Sequence, residues 1–370
     1  MLPLRAASLT VLLALAACNA DPYNLGQLNV QKVSCSPFKI IAHRGASALR
    51  PEHTLAAYQL AIEHGADAIE PDLVMSKDGV LIARHENEIS DTTDIAARPE
   101  FADRKTRKQI DGKWVEGWFS EDLTLAELKT LRVRERIPQA RSTAFDGEFQ
   151  IATFDEIIQL AEAASAERIC PVALVPEIKH PSYFASIGLA MEAPLLAALD
   201  RHPHTQHTWV MIQSFETGNL RQLRSMRGER DNILLIQLLG EADARPFDLA
   251  NSATPTRYAE MMTPAGLAEI ATYANAIGPW KQSLALAQDS EGHWHSPLID
   301  AAHANALQVI AYTFRPENQT LAARYRNDAS PAARNETGAM QEVRDHFDAG
   351  LDGLFADDPG LARRAIDVSP

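Results

Sequence analysis

The sequence is poor in positive charge and in cysteine. Its 370 residues carry 35 Lys and Arg against 49 Asp and Glu, a formal net charge of −14, which argues against a broad nucleic-acid-binding surface. Three cysteines are too few for a disulfide-dense scaffold. The chain also lacks a Walker loop, a dinucleotide-binding glycine fingerprint and a nucleophile elbow. What remains is an ordinary globular composition, 46% hydrophobic, with room for a large core.

The N-terminal region has no hydrophobic run long enough to cross a membrane. The run Val11–Ala17 follows an arginine and is typical of a secretory signal. It ends in Leu15-Ala16-Ala17-Cys18, which resembles the bacterial lipobox, and that resemblance implies cleavage before Cys18 and lipid on its thiol. We therefore predict a signal peptide at residues 1–17 and a lipidated tether at 18–36. The alternative is a plain signal peptide with an incidental cysteine.

A lipid anchor places the mature chain on the periplasmic or cell-surface side of a bacterial membrane, with the outer membrane favoured. Contact with the membrane is then expected through the anchor only. Cys35 and Cys170 stay in the mature chain, and the sequence leaves open whether they pair in that oxidising compartment. It also leaves the oligomeric state open.

Residues 37–370 are predicted to form one domain in which short β-rich runs alternate with helical patterns. Thr54 and Thr153 are typical N-caps, and Gly65 and Gly350 are typical C-terminal stops. The predicted strands are Phe38–Ala42, Ala68–Val74, Val80–Arg84, Val172–Glu177, Trp209–Gln213, Ile233–Leu238, Ala274–Ile277, Val309–Thr313 and Gly353–Ala356. The predicted helices are Thr54–His64, Thr153–Ala164, Ser182–Arg201, Glu216–Arg227, Gly266–Tyr273, Pro297–Asn305 and Ala339–Ala349.

One of the nine predicted strands does not belong to a parallel barrel. Val74 and Val80 are separated by a turn that contains Asp78-Gly79, a hairpin signal, so the strand that begins at Val80 runs antiparallel. Eight strands remain in alternation with helices, which predicts a TIM (β/α)8 barrel with an extra hairpin strand. The stretches 87–150 and 239–265 exceed normal loop lengths and are interpreted as insertions on the barrel.

Polar side chains gather at the carboxyl ends of the predicted strands, where barrel enzymes place their active residues. If Ser76 faces Gly79 in the hairpin, then Val74 faces Leu81, Asp72 faces Ala83 and Glu70 faces His85, which puts His85 beside two carboxylates. A slip of one residue would undo this pairing. The residues at these ends are His43, Arg44, Glu70, Asp72, His85, Glu177, Lys179, Gln213, Phe215, Tyr312 and Arg315.

These segments resemble the glycerophosphodiester phosphodiesterase family, and most closely its periplasmic bacterial branch. The resemblance implies a metal-dependent TIM barrel that hydrolyses deacylated phospholipids, such as glycerophosphocholine, to glycerol 3-phosphate and an alcohol. Glu86 departs from it, because the family usually has Asp after the histidine. The matching segments are Ile41-Ala42-His43-Arg44-Gly45-Ala46-Ser47, Pro51-Glu52-His53-Thr54, Gly65 to Met75, Lys77-Asp78-Gly79, His85, Pro176-Glu177-Ile178-Lys179, Gln213-Ser214-Phe215 and Gly353 to Asp357.

Glu70, Asp72 and Glu177 offer hard oxygen ligands, which suit Ca2+ or Mg2+ better than Zn2+. We therefore predict one divalent cation at these three carboxylates, with Ca2+ favoured. Glu52 is expected either to contact the metal or to brace its ligands. The alternative is that the three carboxylates form ordinary ion pairs.

The remaining residues fit the needs of a phosphodiester substrate. Arg44 and Lys179 are predicted to bind the phosphate, unless they serve as structural salt bridges. His43 and His85 are predicted to be the acid and the base, because imidazole titrates near neutrality. Gln213, Phe215 and Tyr312 are predicted to line the substrate pocket. By the resemblance, the attacking group is the substrate's own 2-hydroxyl, and a cyclic phosphate forms first.

Two other functions are consistent with the same sequence. A related barrel phospholipase acting on intact lipids would need an exposed apolar rim, whereas the insertion around 98–117 is highly charged. A surface lipoprotein that keeps the barrel only for binding would have lost catalytic side chains, and none is missing. The preferred head group, the choice of metal, the order of the two histidines and the role of the insertions stay open.

Overall fold

The computed structural model describes residues 38–166, 168–250, 252 and 255–367. The predicted signal peptide, Cys18 and the tether lie outside these residues, and so does the pairing of Cys35 with Cys170. Within the described ranges none of the helices combines the length and the apolar character that crossing a bilayer requires.

Strands and helices alternate along the described chain. The strands are β1 Lys39–His43, β2 Ala68–Glu70, β3 Asp72–Met75, β4 Leu81–Ala83, β5 Thr106–Ile110, β6 Lys113–Gly117, β7 Ala173–Leu174, β8 Glu177–Ile178, β9 Val210–Ser214, β10 Ile233–Leu239, β11 Ala276–Pro279, β12 Ala287–Gln288, β13 Trp294–His295, β14 Gln308–Phe314 and β15 Gly353–Ala356. The α-helices are α1 Leu55–Glu63, α2 Leu125–Leu128, α3 Phe154–Ser165, α4 Pro181–Ser186, α5 Glu192–Arg201, α6 Pro203–His207, α7 Gly218–Met226, α8 Phe247–Ala250, α9 Tyr258–Met261, α10 Pro264–Ile270, α11 Pro297–Ala304, α12 Glu336–Asp348 and α13 Pro359–Asp367.

The main sheet closes on itself as a barrel. Going round the described ring, β1 pairs with β2, β2 with β7, β7 with β9, β9 with β10, β10 with β11, β11 with β14, β14 with β15, and β15 with β1. All of these pairs are parallel. The predicted (β/α)8 barrel is confirmed, and the carboxyl ends of its strands meet at one face.

Two core layers hold the barrel together. One fills its interior with apolar side chains from alternate strand positions, including Ile41, Ala173, Met211, Ile236 and Phe355. The other lies between the strands and the surrounding helices. Burial of both layers supplies the main favourable term in folding.

Two of the predicted strands are each broken by a proline. The expected run Ala68–Val74 divides at Pro71 into β2 and β3, and Val172–Glu177 divides near Pro176 into β7 and β8. Proline has no N–H to donate to a neighbouring strand. Beyond the break, β3 pairs with β8 so that Asp72 is level with Glu177.

The hairpin strand β4 is antiparallel to β3, as predicted, but the predicted register is wrong by one residue. Val74 faces Ile82, not Leu81, so Glu70 does not face His85. The reason is the length of the loop: the Ser76 N–H donates to the Val80 carbonyl at 3.0 Å and the Gly79 N–H to the Ser76 carbonyl at 3.0 Å. The turn therefore has three residues, one more than the predicted pairing required. Gly79 is the last of the three and adopts the left-handed conformation, with φ +78°, that such a turn needs.

Local signals place most helix ends correctly. Thr54 caps α1 by accepting from Ala57, and Thr153 caps α3 in a capping box with Glu156. The predicted helix Ser182–Arg201 is wrong as a single element, because Gly188 at φ +80° separates α4 from α5.

The insertion 87–150 contains α2 and the hairpin β5–β6. It packs on the barrel through buried apolar side chains that include Phe119, Leu128 and Val133. The stretch 239–265 contains α8 and α9, and a further pair of strands, β12 and β13, was not predicted.

Candidate active site

The carboxyl ends of the barrel strands surround an open cavity of about 490 Å³. Ten of the residues selected at the strand ends line it, and they are His43, Arg44, Glu70, His85, Glu177, Lys179, Gln213, Phe215, Tyr312 and Arg315. Asp72 and Glu52 lie directly behind Arg44, in contact with its guanidinium. The structure therefore brings these twelve residues together, although the hairpin register that suggested the place of His85 was wrong.

Three carboxylates form a buried group at the base of the cavity. Each of Glu70, Asp72 and Glu177 offers an oxygen, and these oxygens lie within 4.8 Å of one another. Burial and the charge of Asp72 raise the pKa of Glu70 well above its ordinary value, and burial raises that of Glu177 to about 8. Burial opposes ionisation of Asp72 too, but Lys179 and Arg44 hold its pKa well below the usual range.

These carboxylates fit a divalent cation. Asp72 Oδ1 is buried and has no hydrogen-bond partner, and three crowded carboxylates without a cation repel one another. Their all-oxygen donor set is the kind that Ca2+ and Mg2+ prefer. His53 orients Asp72 from behind, with its Nε2 2.9 Å from Asp72 Oδ2 and its Nδ1 2.8 Å from the Tyr58 hydroxyl.

Arg44 lies in a turn that the sequence makes unusually tight. Its own φ is +60°, and the next residue, Gly45, has φ +87°. A Cβ at Gly45 would lie 2.6 Å from the backbone carbon of Ala57, so only glycine lets this turn approach α1. The turn points the Arg44 N–H at Glu70 Oε2, at 2.8 Å.

The two cations predicted to bind the phosphate are both paired. Arg44 contacts Glu52 Oε2 at 3.1 Å and Asp72 Oδ2 at 3.2 Å. Glu52 is also 3.0 Å from Arg136 of the insertion, so it braces Arg44 and lies outside the three-carboxylate group. The Lys179 Nζ is 2.9 Å from Glu177 Oε1.

The wall of the cavity combines one amide with two aromatic rings. The Gln213 amide donates to Glu70 Oε1 at 3.0 Å. The rings of Phe215 and Tyr312 meet edge to face with 5.9 Å between centroids. The Tyr312 hydroxyl donates to the Leu239 carbonyl at 2.8 Å, which fixes its ring against the cavity.

His43 is anchored inside the barrel. Its Nδ1 lies 2.6 Å from Asp357 Oδ1, and Asp357 is also paired with Arg141 and, at 3.1 Å, with Arg315. Burial and the neighbouring Arg44 cation lower the pKa of His43 to about 4. The imidazole is therefore neutral at pH 7, with Nδ1–H donated to Asp357 and Nε2 left for the cavity.

His85 is anchored at the rim in the same way. Its Nδ1 lies 3.0 Å from Glu86 Oε1, and the other Glu86 oxygen lies 3.0 Å from His180 Nε2. The His180 Nδ1 is 2.6 Å from Asp111 at the tip of the hairpin β5–β6. Burial, together with the Arg44 and Lys179 cations, lowers the pKa of His85 to about 3.

Sequence reasoning missed several of these residues. Asp357 follows β15, at a strand end where a partner for a histidine could have been sought, and Arg315 was placed at its strand end but given no role. Nothing local signals Arg141 or Asp111, because each reaches the site from within the insertion. His180 follows Lys179 directly, but its role depends on two partners 69 and 94 residues away in the chain.

The chain is similar to known proteins along most of its length. A family model described as the glycerophosphoryl diester phosphodiesterase family matches residues 43–361. The glycerophosphodiester phosphodiesterase GDPD6 of Arabidopsis thaliana is 34% identical over 86% of this chain and 83% of its own length. A glycerophosphodiester phosphodiesterase of Haemophilus influenzae is 26% identical over 92% of this chain and 95% of its own length.

Solved structures show the same fold. A phosphodiesterase of Oleispira antarctica, determined with the product sn-glycerol-3-phosphate, superposes with a TM-score of 0.56 at 20% identity, covering 89% of this chain and 96% of that one. The glycerophosphodiester phosphodiesterase of Agrobacterium tumefaciens gives a TM-score of 0.52 at 18% identity, covering 88% and 99%.

Proposed function

The chain belongs to the glycerophosphoryl diester phosphodiesterase family and is a phosphoric diester hydrolase, and from this premise we propose that it hydrolyses glycerophosphodiesters to glycerol 3-phosphate and an alcohol. Deacylated phospholipids such as glycerophosphocholine are the proposed substrate class. The observation that carries the proposal is one cavity that joins two carboxylate-anchored histidines, two cations and three buried carboxylates.

Glu70, Asp72 and Glu177 are the residues proposed to hold one divalent cation, Ca2+ or Mg2+. When bound, such a cation supplies positive charge to the phosphoryl oxygens. Arg44 and Lys179 line the same cavity and are proposed to bind the substrate phosphate, Arg44 through its planar guanidinium and Lys179 as a point charge. Charge that builds on the phosphoryl oxygens in the transition state is then stabilised by cations already in place.

The two histidines are proposed to move the protons. One, as the neutral imidazole, accepts the proton of the glycerol 2-hydroxyl as that oxygen forms a bond to phosphorus. The other reacts as the imidazolium, its charge favoured by the bound phosphodiester anion, and donates its Nε2 proton to the alcohol oxygen as the bond of that oxygen to phosphorus breaks. In the second step water opens the cyclic phosphate, and the histidines exchange roles. Each imidazole has its Nδ1 held by a carboxylate, so Nε2 is the nitrogen that exchanges the proton.

The reaction itself is tested by turnover of glycerophosphocholine, followed by phosphorus NMR. We expect glycerol 3-phosphate as the product, no turnover after bound metal is removed with EDTA, and recovery on addition of Ca2+ or Mg2+. Full turnover in excess EDTA would contradict the metal site. Formation of glycerol 2-phosphate or phosphocholine as the end product would contradict the proposed reaction.

The metal ligands are tested directly by calorimetry. Glu177→Gln removes one carboxylate oxygen, and we expect it to weaken Ca2+ binding at least tenfold. The matched control is Glu216→Gln, because Glu216 is equally buried and binds Ser182 instead of belonging to the carboxylate group. Equal binding by both variants would contradict the assignment.

We further propose that Cys18 carries lipid and that the enzyme belongs to the periplasmic branch of its family, on the outer membrane. This proposal is supported by the sequence Leu15-Ala16-Ala17-Cys18. Native protein is expected to partition into detergent, and Cys18→Ser to be released as a soluble periplasmic protein. Identical partitioning of the two proteins would contradict the anchor.

A further inference from the structure

The rim of the site holds a chain of four side chains in contact, of which the proposed reaction uses only His85 and Glu86. It runs from His85 to Glu86, from Glu86 to His180 and from His180 to Asp111, with nitrogen-to-oxygen distances of 3.0, 3.0 and 2.6 Å. Glu86 follows β4, His180 follows β8, and Asp111 is in the turn of the insertion hairpin. Three separate segments therefore meet at His180.

Resting on the proposed function, we propose that His180 is a positioning residue that orients His85 through Glu86, and that Asp111 of the insertion holds His180 in place. His180 is absent from the lining of the cavity, so it acts on the reaction through Glu86 and not on the substrate. The insertion thereby becomes part of the active site's support.

The backbone of His180 indicates that its side chain is held firmly. Its φ and ψ are 48° and 46°, the left-handed region, which residues with a Cβ seldom occupy. Such a conformation persists where surrounding contacts enforce it. Here both ring nitrogens of His180 are engaged by carboxylates.

The charges in this chain favour one direction for every hydrogen bond. Burial lowers the pKa of His180, but Asp111 and Glu86 outweigh it and raise that pKa to about 9. The ring is therefore an imidazolium at pH 7 and donates from both nitrogens. Glu86 accepts one bond from His180 Nε2, and its other oxygen lies 3.0 Å from His85 Nδ1, which leaves His85 Nε2 for the substrate.

Glu86 needs such support because its side chain is 50% exposed. A half-exposed glutamate samples several rotamers unless a partner holds it. His180, with only 14% of its side chain exposed, supplies a fixed partner. Its removal therefore frees Glu86 and lets the His85 ring rotate.

The test is a double-mutant cycle in the full-length protein, with glycerophosphocholine as the substrate. We expect His180→Ala to lower kcat roughly tenfold, a fraction of the 10² to 10⁴ that acid–base catalysis supplies, and to leave KM within about twofold. In a His85→Ala background, His180→Ala should cause no further loss. In a His43→Ala background its loss should persist.

Three companion variants make the result decisive. Asp111→Asn retains His180 and should lower kcat less than His180→Ala does. His180→Gln retains a donor toward Glu86 and should recover part of the loss. The matched control is His303→Ala, because His303 forms a similar 2.8 Å pair with Asp352 outside the cavity, and its kcat should equal that of the native enzyme.

The outcomes separate this inference from the proposed function. If His85→Ala is inactive while His180→Ala and Asp111→Asn both have native kcat, the positioning role is overturned and the proposed function stands. If His180→Ala causes the same loss with and without His85, its role is structural, and the inference is overturned. Native activity in His85→Ala would overturn both. Should His180→Ala fail to fold, Asp111→Asn and His180→Gln are carried through the same cycle.

Discussion

Each of the two predicted catalytic histidines contacts a carboxylate that is itself paired with a further side chain, but the two sets of contacts differ in burial. His43 is bound to Asp357 and, through it, to Arg141, and all three side chains are at least 89% buried. His85 is bound to Glu86 and, through it, to His180, and Glu86 is half exposed. Removal of a buried partner leaves a charge that water cannot solvate, whereas at the rim water replaces what is lost. We call Asp357 and Arg141 the buried support, and Glu86, His180 and Asp111 the rim support. The buried support therefore contributes to stability and to catalysis, whereas the rim support contributes mainly to catalysis.

The largest expected effect comes from the histidines themselves. His43→Ala and His85→Ala should each lower kcat on glycerophosphocholine by roughly 10² to 10⁴. A nitrophenyl ester of glycerol phosphate needs no proton on its leaving group, so the variant that lacks the acid should recover on that substrate and the other should not. Kinetics of both variants on both substrates make the comparison. A loss below tenfold on the natural substrate would contradict the paired mechanism, and equal recovery of both variants would contradict the division of roles.

Arg141→Met, in the buried support, should destabilise the fold more than a matching change in the rim support. It leaves Asp357 and Glu317 buried without their shared guanidinium, which typically costs about 3 to 5 kcal/mol of unfolding free energy. Asp111→Asn, the counterpart at the rim, should cost less than about 1 kcal/mol. Urea unfolding of the two variants measures both quantities. Equal costs would mean that burial does not distinguish the two supports.

His180 and His43 should respond to pH with opposite signs. The pKa of His180 rises on folding, from 6.5 to about 9, so its contribution is complete below pH 6.5 and is lost as pH rises through 9. At most this is about 3 kcal/mol, at 1.36 kcal/mol per pKa unit. The pKa of His43 falls to about 4, so burial of the neutral ring destabilises the fold as pH drops below 6.5.

Unfolding free energies of the native protein and His180→Gln, measured from pH 6 to pH 10, test the first of these slopes. The difference between the two proteins should shrink as pH rises. A difference that stays constant across this range would show that His180 is not charged in the folded state.

Glu86→Asp should have the smallest effect. Aspartate is shorter by one methylene group and cannot keep both 3.0 Å contacts of Glu86 without backbone movement. We expect kcat to fall about threefold, between the native value and that of His180→Ala, since rim ion pairs contribute little each. Steady-state kinetics on glycerophosphocholine measure it. A loss as large as that of His85→Ala would place Glu86 in the chemistry itself.

The barrel and most of its site follow from local patterns in the sequence. Alternating strands and helices predict the closed ring, and because parallel strands share a carboxyl end, His43, Glu70 and Glu177 had to converge. The caps at Thr54 and Thr153 were equally readable, because the capping residue lies within three positions of its partner.

What the sequence could not supply depends on contacts between distant segments or on fine backbone geometry. The hairpin register depended on whether two or three residues form the turn before Val80, and both fit Asp78-Gly79. Arg141 reaches Asp357 across 216 residues of chain, and no periodic pattern encodes such a contact. Asp111 and Arg141 both belong to the insertion and contact partners of the two histidines. The region that was hardest to predict therefore supplies part of the support of the site.

The breaks at Pro71 and Pro176 have a mechanical consequence. In this part of the barrel wall the strands lose two amide donors, and the Gln213 amide spans the break by donating to Glu70 and, at 3.4 Å, to the Val175 carbonyl. The three carboxylates therefore lie where the strands of the barrel wall are interrupted. The proposed cation would link these interrupted strands, so the melting temperature should rise with the cation concentration, even in an enzyme whose histidines have been removed.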